Sequence, residues 1–332
     1  MKEALFYKKL KENKVQCNLC PMNCTIENNK TGFCGVRKNT EGKLYSLVYA
    51  KPCSTSIDPI EKKPFFHFAP GSQCLSVATV GCNLACSFCQ NNSISHPDNI
   101  FGENLEPEEI IKLAINFGAK GIAYTYTEPT IFYEFALDIM KLAKKKKLYN
   151  VWVSNGYTNP EPAKKAASYM DAINVDIKGD IKFYQKLCSV PDEEPMHRSL
   201  KIYKEKKVFI EITNLMIPGF NDKPEQIKNL VSWVKTNLGK QTPLHFSRFH
   251  PAYKLTNVKP TDEKTLENAY NIAKDMGMDY VYVGNIFGHK YESTYCPKCG
   301  KVVIERRGYQ IVSKKNKCSC GQNILIKGKR YA

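Results

Sequence analysis

No run of 18 apolar residues interrupts this 332-residue chain, so no segment of it reads as a membrane-spanning helix. The opening MKEALFYKKLKENK lacks the apolar core that a secretion signal needs. A cytoplasmic protein with no membrane association is therefore expected. Acidic residues are also in short supply: 32 Asp and Glu face 49 Lys and Arg, a formal charge of +17. An apolar fraction of 42% is enough for a buried core.

What the chain does hold is cysteine, 14 of them. In a cytoplasmic protein that number points to metal ligation rather than disulfides. Three groups form along the chain: Cys17, Cys20, Cys24 and Cys34, then Cys82, Cys86 and Cys89, then Cys296, Cys299, Cys318 and Cys320. Cys53, Cys74 and Cys188 stand alone and read as small buried hydrophobes. Metal-bound cysteines are thiolates, which the formal charge counts as neutral. The lysines are dispersed, and the densest run, KLAKKKK at 141–147, falls at a helix end where cations are favoured. A solvated basic surface is thus preferred, with docking of an acidic redox partner or of nucleic acid as lesser readings.

The middle group has the spacing C-x3-C-x2-C in VATVGCNLACSFCQNN, with Phe88 directly before the last thiol. A cubane iron–sulfur cluster takes one cysteine per iron, so three cysteines leave one iron with an open position. Open positions on metal centres serve chemistry more than structure. A structural zinc knuckle would need a fourth ligand, and His96 is the near candidate, since the next cysteine is Cys188. LSVATV (75–80) has the length and β-branched content of a buried strand, so the loop starts where a strand ends. The cluster reading is preferred.

This spacing, with an aromatic before the third cysteine, resembles the signature of the radical S-adenosylmethionine (SAM) enzymes. The resemblance implies an oxidoreductase in which Cys82, Cys86 and Cys89 hold a [4Fe–4S] cluster and SAM chelates the fourth iron. One electron then cleaves SAM to methionine and a 5′-deoxyadenosyl radical, which takes a hydrogen atom from the substrate. Iron–sulfur potentials span roughly −700 to +450 mV, and SAM cleavage needs the low end. A ferredoxin- or flavodoxin-like electron donor is therefore expected.

Between residues 75 and 285, strand-like runs alternate with helical ones. The runs at 75–80, 121–126, 149–154, 172–177, 208–217, 243–249 and 280–284 read as strands. Residues 107–118, 130–147, 223–239 and 261–277 read as helices, the last starting at Thr261. Such alternation argues for a parallel α/β barrel or an open α/β sheet. The resemblance implies a partial six-stranded (β/α) barrel of TIM type at 71–290, with function at the C-terminal strand ends. A Cys-rich metal-binding segment at 1–70 and a ribbon-like module at 291–332 flank it.

Polar segments do follow the strands, and four of them extend the resemblance. YTEPT is similar to the family's GGEP segment, whose backbone receives the methionyl amino group, and this role falls on Tyr126, Thr127 and Glu128. Tyr126 and Thr127 stand where the family has glycines. SNGY and DIKG resemble segments of the pyruvate formate-lyase activating enzyme branch that read close to DTNG and DLK. Ser154, Asn155, Asp176 and Lys178 would then line the SAM carboxylate and ribose. Val153 replaces that branch's aspartate. RFHP makes His250 a ligand-contacting or proton-handling candidate, preferred over His245, with Asn214 and Asn285 as weaker ones.

The N-terminal C-x2-C-x3-C-x9-C makes a closed four-cysteine site for zinc or an auxiliary cluster, and spacing does not choose between them. CPKCG and CSCG at the C-terminus resemble a zinc ribbon, with C-x-C in place of C-x2-C in the second half. Arg306, Arg307, Lys314, Lys315 and Lys317 lie between these knuckles and read as a solvated hairpin, with binding of a partner or nucleic acid as the lesser reading. Taken together, the segments resemble the radical SAM protein of the AmmeMemoRadiSam system. Three outcomes remain: hydrogen abstraction from an unidentified substrate, glycyl-radical activation of a protein substrate, or a non-catalytic metal-binding module that docks nucleic acid.

Overall fold

The computed structural model describes residues 1–332. The chain forms two compact units. The first comprises Met1–Asp58, Gln73–Ile173 and Glu194–Val208, and the second comprises Pro59–Ser72, Asn174–Glu193 and Phe209–Ala332.

The first unit opens with β1 (Lys2–Glu3), β2 (Tyr7–Lys9), β3 (Val15–Cys17), β4 (Thr25–Ile26), β5 (Arg37–Thr40) and β6 (Lys43–Ser46). They make two antiparallel three-stranded sheets, ordered β1-β6-β5 and β2-β3-β4. The strands β7 (Ser54–Pro59), β8 (Gln73–Ala78), β9 (Gly121–Tyr124) and β10 (Tyr149–Ser154) follow in chain order. β8, β9 and β10 pair in parallel, with Gly121 opposite both Cys74 and Tyr149. A Cβ at Gly121 would lie 2.0 Å from the Tyr149 ring, so glycine lets that ring close over the strand.

Helices connect the parallel strands. Pro107–Asn116 starts with proline, and the Glu109 carboxylate accepts the Glu106 backbone N–H at 2.8 Å. It buries Ile110, Ile111 and Ala114. Tyr133–Lys145 ends on Lys144 and Lys145, which face the negative end of its dipole. Pro160–Ala167 and Glu194–Glu205 are further helices that the sequence reading does not anticipate.

In the second unit β11 (Ala172–Asp176, whose first two residues fall in the first), β12 (Phe209–Met216), β13 (Leu244–Arg248) and β14 (Val281–Gly284) again follow chain order. β12–β13 and β13–β14 are parallel pairs. Pro224–Asn237 and Glu263–Asp275 are its longer helices. The latter is capped by Asp262 rather than by Thr261, whose hydroxyl instead donates to the Met216 carbonyl at 2.6 Å. An antiparallel sheet of β15 (Thr294–Tyr295), β16 (Val302–Arg307) and β17 (Gln310–Lys314) completes the unit. The fold is thus mixed α/β with parallel strands, as the alternation predicts. No helix is long and apolar enough to cross a membrane.

Candidate functional site

After β8 the chain runs through buried Thr79 and Val80 to Gly81, at φ +104°. A Cβ there would stand 2.6 Å from Val36 Cγ1, so only glycine turns this corner. The loop then presents Cys82, Cys86 and Cys89, all partly buried. Donors surround the sulfurs. The Leu84 N–H is 3.5 Å from Cys82 Sγ, the Asn155 side-chain amide 3.9 Å from the same atom, and the Ser95 hydroxyl 3.5 Å from Cys89 Sγ. Burial raises the Cys82 thiol well above its ordinary pKa, and the Glu128 and Cys86 charges push the same way. Three such thiols suit a cluster that takes one cysteine per iron. His96 donates through Nε2 to the Leu84 carbonyl at 2.7 Å.

Tyr126 adopts φ +66°, the left-handed region, which costs a residue with a side chain roughly 1–2 kcal/mol. Its surroundings hold it there. Asn91 donates to its carbonyl at 2.8 Å, and its own hydroxyl donates to Asp58 Oδ2 at 2.5 Å. YTEPT therefore has a glycine-like backbone at a position where the resembled segment has glycine. Thr127 Oγ1 donates to the Thr79 carbonyl at 2.7 Å.

Glu128 is buried, so it is not a surface carboxylate. Its Oε1 accepts from Thr130 N–H at 3.0 Å, Thr130 hydroxyl at 2.6 Å and Ser154 hydroxyl at 2.8 Å, and its Oε2 from Asn155 N–H at 2.8 Å. Burial raises this carboxyl's pKa, with the hydrogen bonds opposing. The Asn155 side chain also donates to Asn83 Oδ1 at 2.9 Å, and Asn83 donates to the Tyr157 carbonyl at 2.7 Å. Through Glu128 and Asn155 the ends of β9 and β10 and the cysteine loop form one hydrogen-bonded assembly. Asn83, Asn91 and Asp58 are members that the sequence reading misses. Asn83 directly follows Cys82 and Asn91 lies two residues after Cys89, which was a usable signal; Asp58 offered none.

In the second unit Lys178 Nζ pairs with Asp176 Oδ2 at 3.0 Å. The Lys178 backbone is pinned, its carbonyl accepting from Asn221 at 2.7 Å. Asn214 donates to the Ile177 carbonyl at 2.7 Å, and Asn285 to the Arg248 carbonyl at 2.8 Å. His250 is exposed beyond β13. His245 is buried and donates to Glu211 Oε2 at 2.8 Å, and Glu211 also accepts the N–H groups of Phe66, His67 and Phe68.

Cys17, Cys20, Cys24 and Cys34 line a common cavity together with Arg37 and Asn83. Burial pushes the Cys34 thiol up to about 11. At the other end of the chain Cys296 and Cys299 follow β15, and Cys318 and Cys320 follow β17. Their four sulfurs lie within 4.8 Å of one another, so the C-x-C half closes the site as well as C-x2-C would. Arg306 is not a free surface cation: it is 4% exposed, stacks on Phe66 and donates to the Phe66 carbonyl at 2.7 Å. Cys74 and Cys188 are buried, and Cys53 is partly so.

Residues 76–233 match the model of the Radical SAM superfamily. An uncharacterized protein of Methanocaldococcus jannaschii is 48% identical over 308 residues, 92% of each chain. The pyruvate formate-lyase-activating enzyme of Clostridium pasteurianum is 24% identical over 217 residues, 59% of this chain and 88% of that one. Among solved structures, a radical SAM methyltransferase from Sphaerobacter thermophilus shares the fold, with a TM-score of 0.52 at 14% identity over 70% of this chain and 71% of the other. The matched segment, a little under half of the chain, is thus similar to the radical SAM superfamily, whose members are enzymes.

Proposed function

We propose that Cys82, Cys86 and Cys89 hold a [4Fe–4S] cluster and that SAM binds at the iron left without a cysteine. The loaded site supplies reductive cleavage of SAM to a 5′-deoxyadenosyl radical for hydrogen abstraction. The observation that carries this reading is Asn155, which is fixed by Glu128 while its amide reaches both Asn83 and Cys82. The strand end that resembles a SAM-binding segment is thereby built onto the cysteine loop. Backbone groups of Tyr126, Thr127 and Glu128 are assigned to the SAM ammonium. Ser154, Asn155, Asp176 and Lys178 are assigned to its carboxylate and ribose, and His250 to ligand contact or proton handling.

The strand order within each unit supports a partial (β/α)6 barrel core at 71–290. The C-terminal module, 291–332, is assigned structural zinc. A zinc ion with bonds of about 2.3 Å sets its sulfurs roughly 3.8 Å apart, and pairs here stand at 3.5 and 3.6 Å. The electron donor is assigned to the ferredoxin or flavodoxin class and the location to the cytoplasm. Membership of the AmmeMemoRadiSam branch accounts for the resemblance at both ends of the chain. A second reading, glycyl-radical activation of a protein substrate, draws support from the likeness to the Clostridium pasteurianum enzyme.

Electron paramagnetic resonance tests the site. SAM added to the reduced, anaerobically reconstituted protein should perturb the cluster signal, and the perturbation should be missing in Cys86→Ala. A wild-type spectrum indifferent to SAM would contradict the assignment.

A further inference from the structure

The N-terminal four-cysteine group has no part in the chemistry assigned above, and the C-terminal group provides an internal scale for it. There the sulfurs touch, Cys296 to Cys320 at 3.6 Å and Cys299 to Cys318 at 3.5 Å, leaving room for a single ion. A cubane is larger. It gives each thiolate its own iron, so the four sulfurs sit at the corners of a wider tetrahedron filled by iron and sulfide.

The N-terminal cysteines are arranged around a cavity. Cys17, Cys20, Cys24 and Cys34 all border it, and its remaining wall includes apolar Leu19, Met22 and Ile131. Its polar members are Asn83 and Arg37, and Arg37 carries the charge. Arg37 is the one with an unmet donor. It is 2% exposed, its Nη1 donates to both Glu134 oxygens at 3.0 Å, and its Nη2 donates to the Leu5 carbonyl at 2.7 Å. Its Nε lies buried on the same guanidinium with no hydrogen-bond partner. A buried charged donor without an acceptor is costly. Beside four thiols in a cavity, sulfide or thiolate sulfur is the acceptor that fits.

We propose that Cys17, Cys20, Cys24 and Cys34 bind a second [4Fe–4S] cluster, with Arg37 Nε donating to it. The guanidinium offsets the negative charge that four thiolates bring to the cavity. Asn83 joins this site to the first, because it lines the cavity, follows Cys82 directly and bonds Asn155. Transfer between the two clusters involves one electron and no bond change. A donor of the ferredoxin or flavodoxin class reduces the second cluster, which is reoxidised as the electron passes to the first.

Metal content of the full-length protein, purified and reconstituted anaerobically, decides the matter. About 8 iron per chain is expected, with zinc confined to the C-terminal group. With Cys82, Cys86 and Cys89 all changed to alanine, about 4 iron and a [4Fe–4S] Mössbauer signature should remain, and both should vanish when Cys20→Ser and Cys34→Ser are added. About 4 iron and 2 zinc per wild-type chain would overturn the second cluster and leave the first standing. Loss of all iron in the triple-alanine protein would overturn it equally.

Discussion

Glu128 spends its carboxylate inside the protein, accepting from Thr130, Ser154 and Asn155 at distances between 2.6 and 3.0 Å. Whatever it does for SAM it does by fixing the backbone around it. In Glu128→Gln one oxygen becomes an NH2 group, so at least one donor of this set faces another donor. An unmatched buried group costs about 1–3 kcal/mol. The variant should therefore melt at lower temperature and bind SAM more weakly; unchanged melting together with unchanged SAM affinity would contradict the bracing role. Tyr126 makes a related point. Its left-handed backbone is held by Asn91, 35 residues before it, and by Asp58, 68 residues before it. The YTEPT segment was legible as a motif, but partners so far away in sequence were not.

The parallel strands were legible because a strand covered on both faces reads as a continuous β-branched run, as in AINVDI and YVYVG. Their helices were less so. Pro160–Ala167 is short and buries mainly alanines, which leave little periodic signal. Glu194–Glu205 carried Met196, Leu200 and Tyr203 at helical spacing, a stripe that was there to be read. The start of the last long helix went to Asp262 because Thr261 serves Met216 and Phe249 instead. Neither did the sequence show that His245 and His67 meet around Glu211. Burial lowers His67 from its ordinary 6.5 to about 4, and its Nδ1–H donates to the Leu325 carbonyl while Nε2 accepts from the Tyr282 hydroxyl. Burial alone would raise Glu211, but the hydrogen bond and charge of His245 outweigh it and hold this carboxyl low. Both shifts have the same sign in linkage: on acidification the unfolded chain takes up protons before the folded one does. Stability from His67 is thus complete above 6.5 and is lost as pH falls toward 4, with Glu211 adding to the loss below 4.5. The melting temperature should fall steadily from neutral pH into this range, and His67→Gln should flatten its upper part. A melting temperature that rises on mild acidification would contradict the network.

At the scale of the whole molecule, the sequence legibly separated three cysteine groups, and the structure gives each its own geometry. Spacing alone left the N-terminal metal open, because the size of the cavity between the sulfurs is set by tertiary packing. The formal charge of +17 has a use in this account, since donors of the flavodoxin class are acidic. The Debye length shrinks from about 10 Å at 0.1 M salt to about 3 Å at 1 M. Reduction of the protein by such a donor should slow several-fold over that interval; a salt-independent rate would remove the basic surface from the mechanism.

The central claim is that the three-cysteine loop supports cleavage of SAM. It is tested most directly by anaerobic reconstitution with dithionite and SAM, scored for 5′-deoxyadenosine in wild type and in Cys86→Ala. The account predicts product from the wild type and none above background from the variant, and equal yields from the two would contradict it.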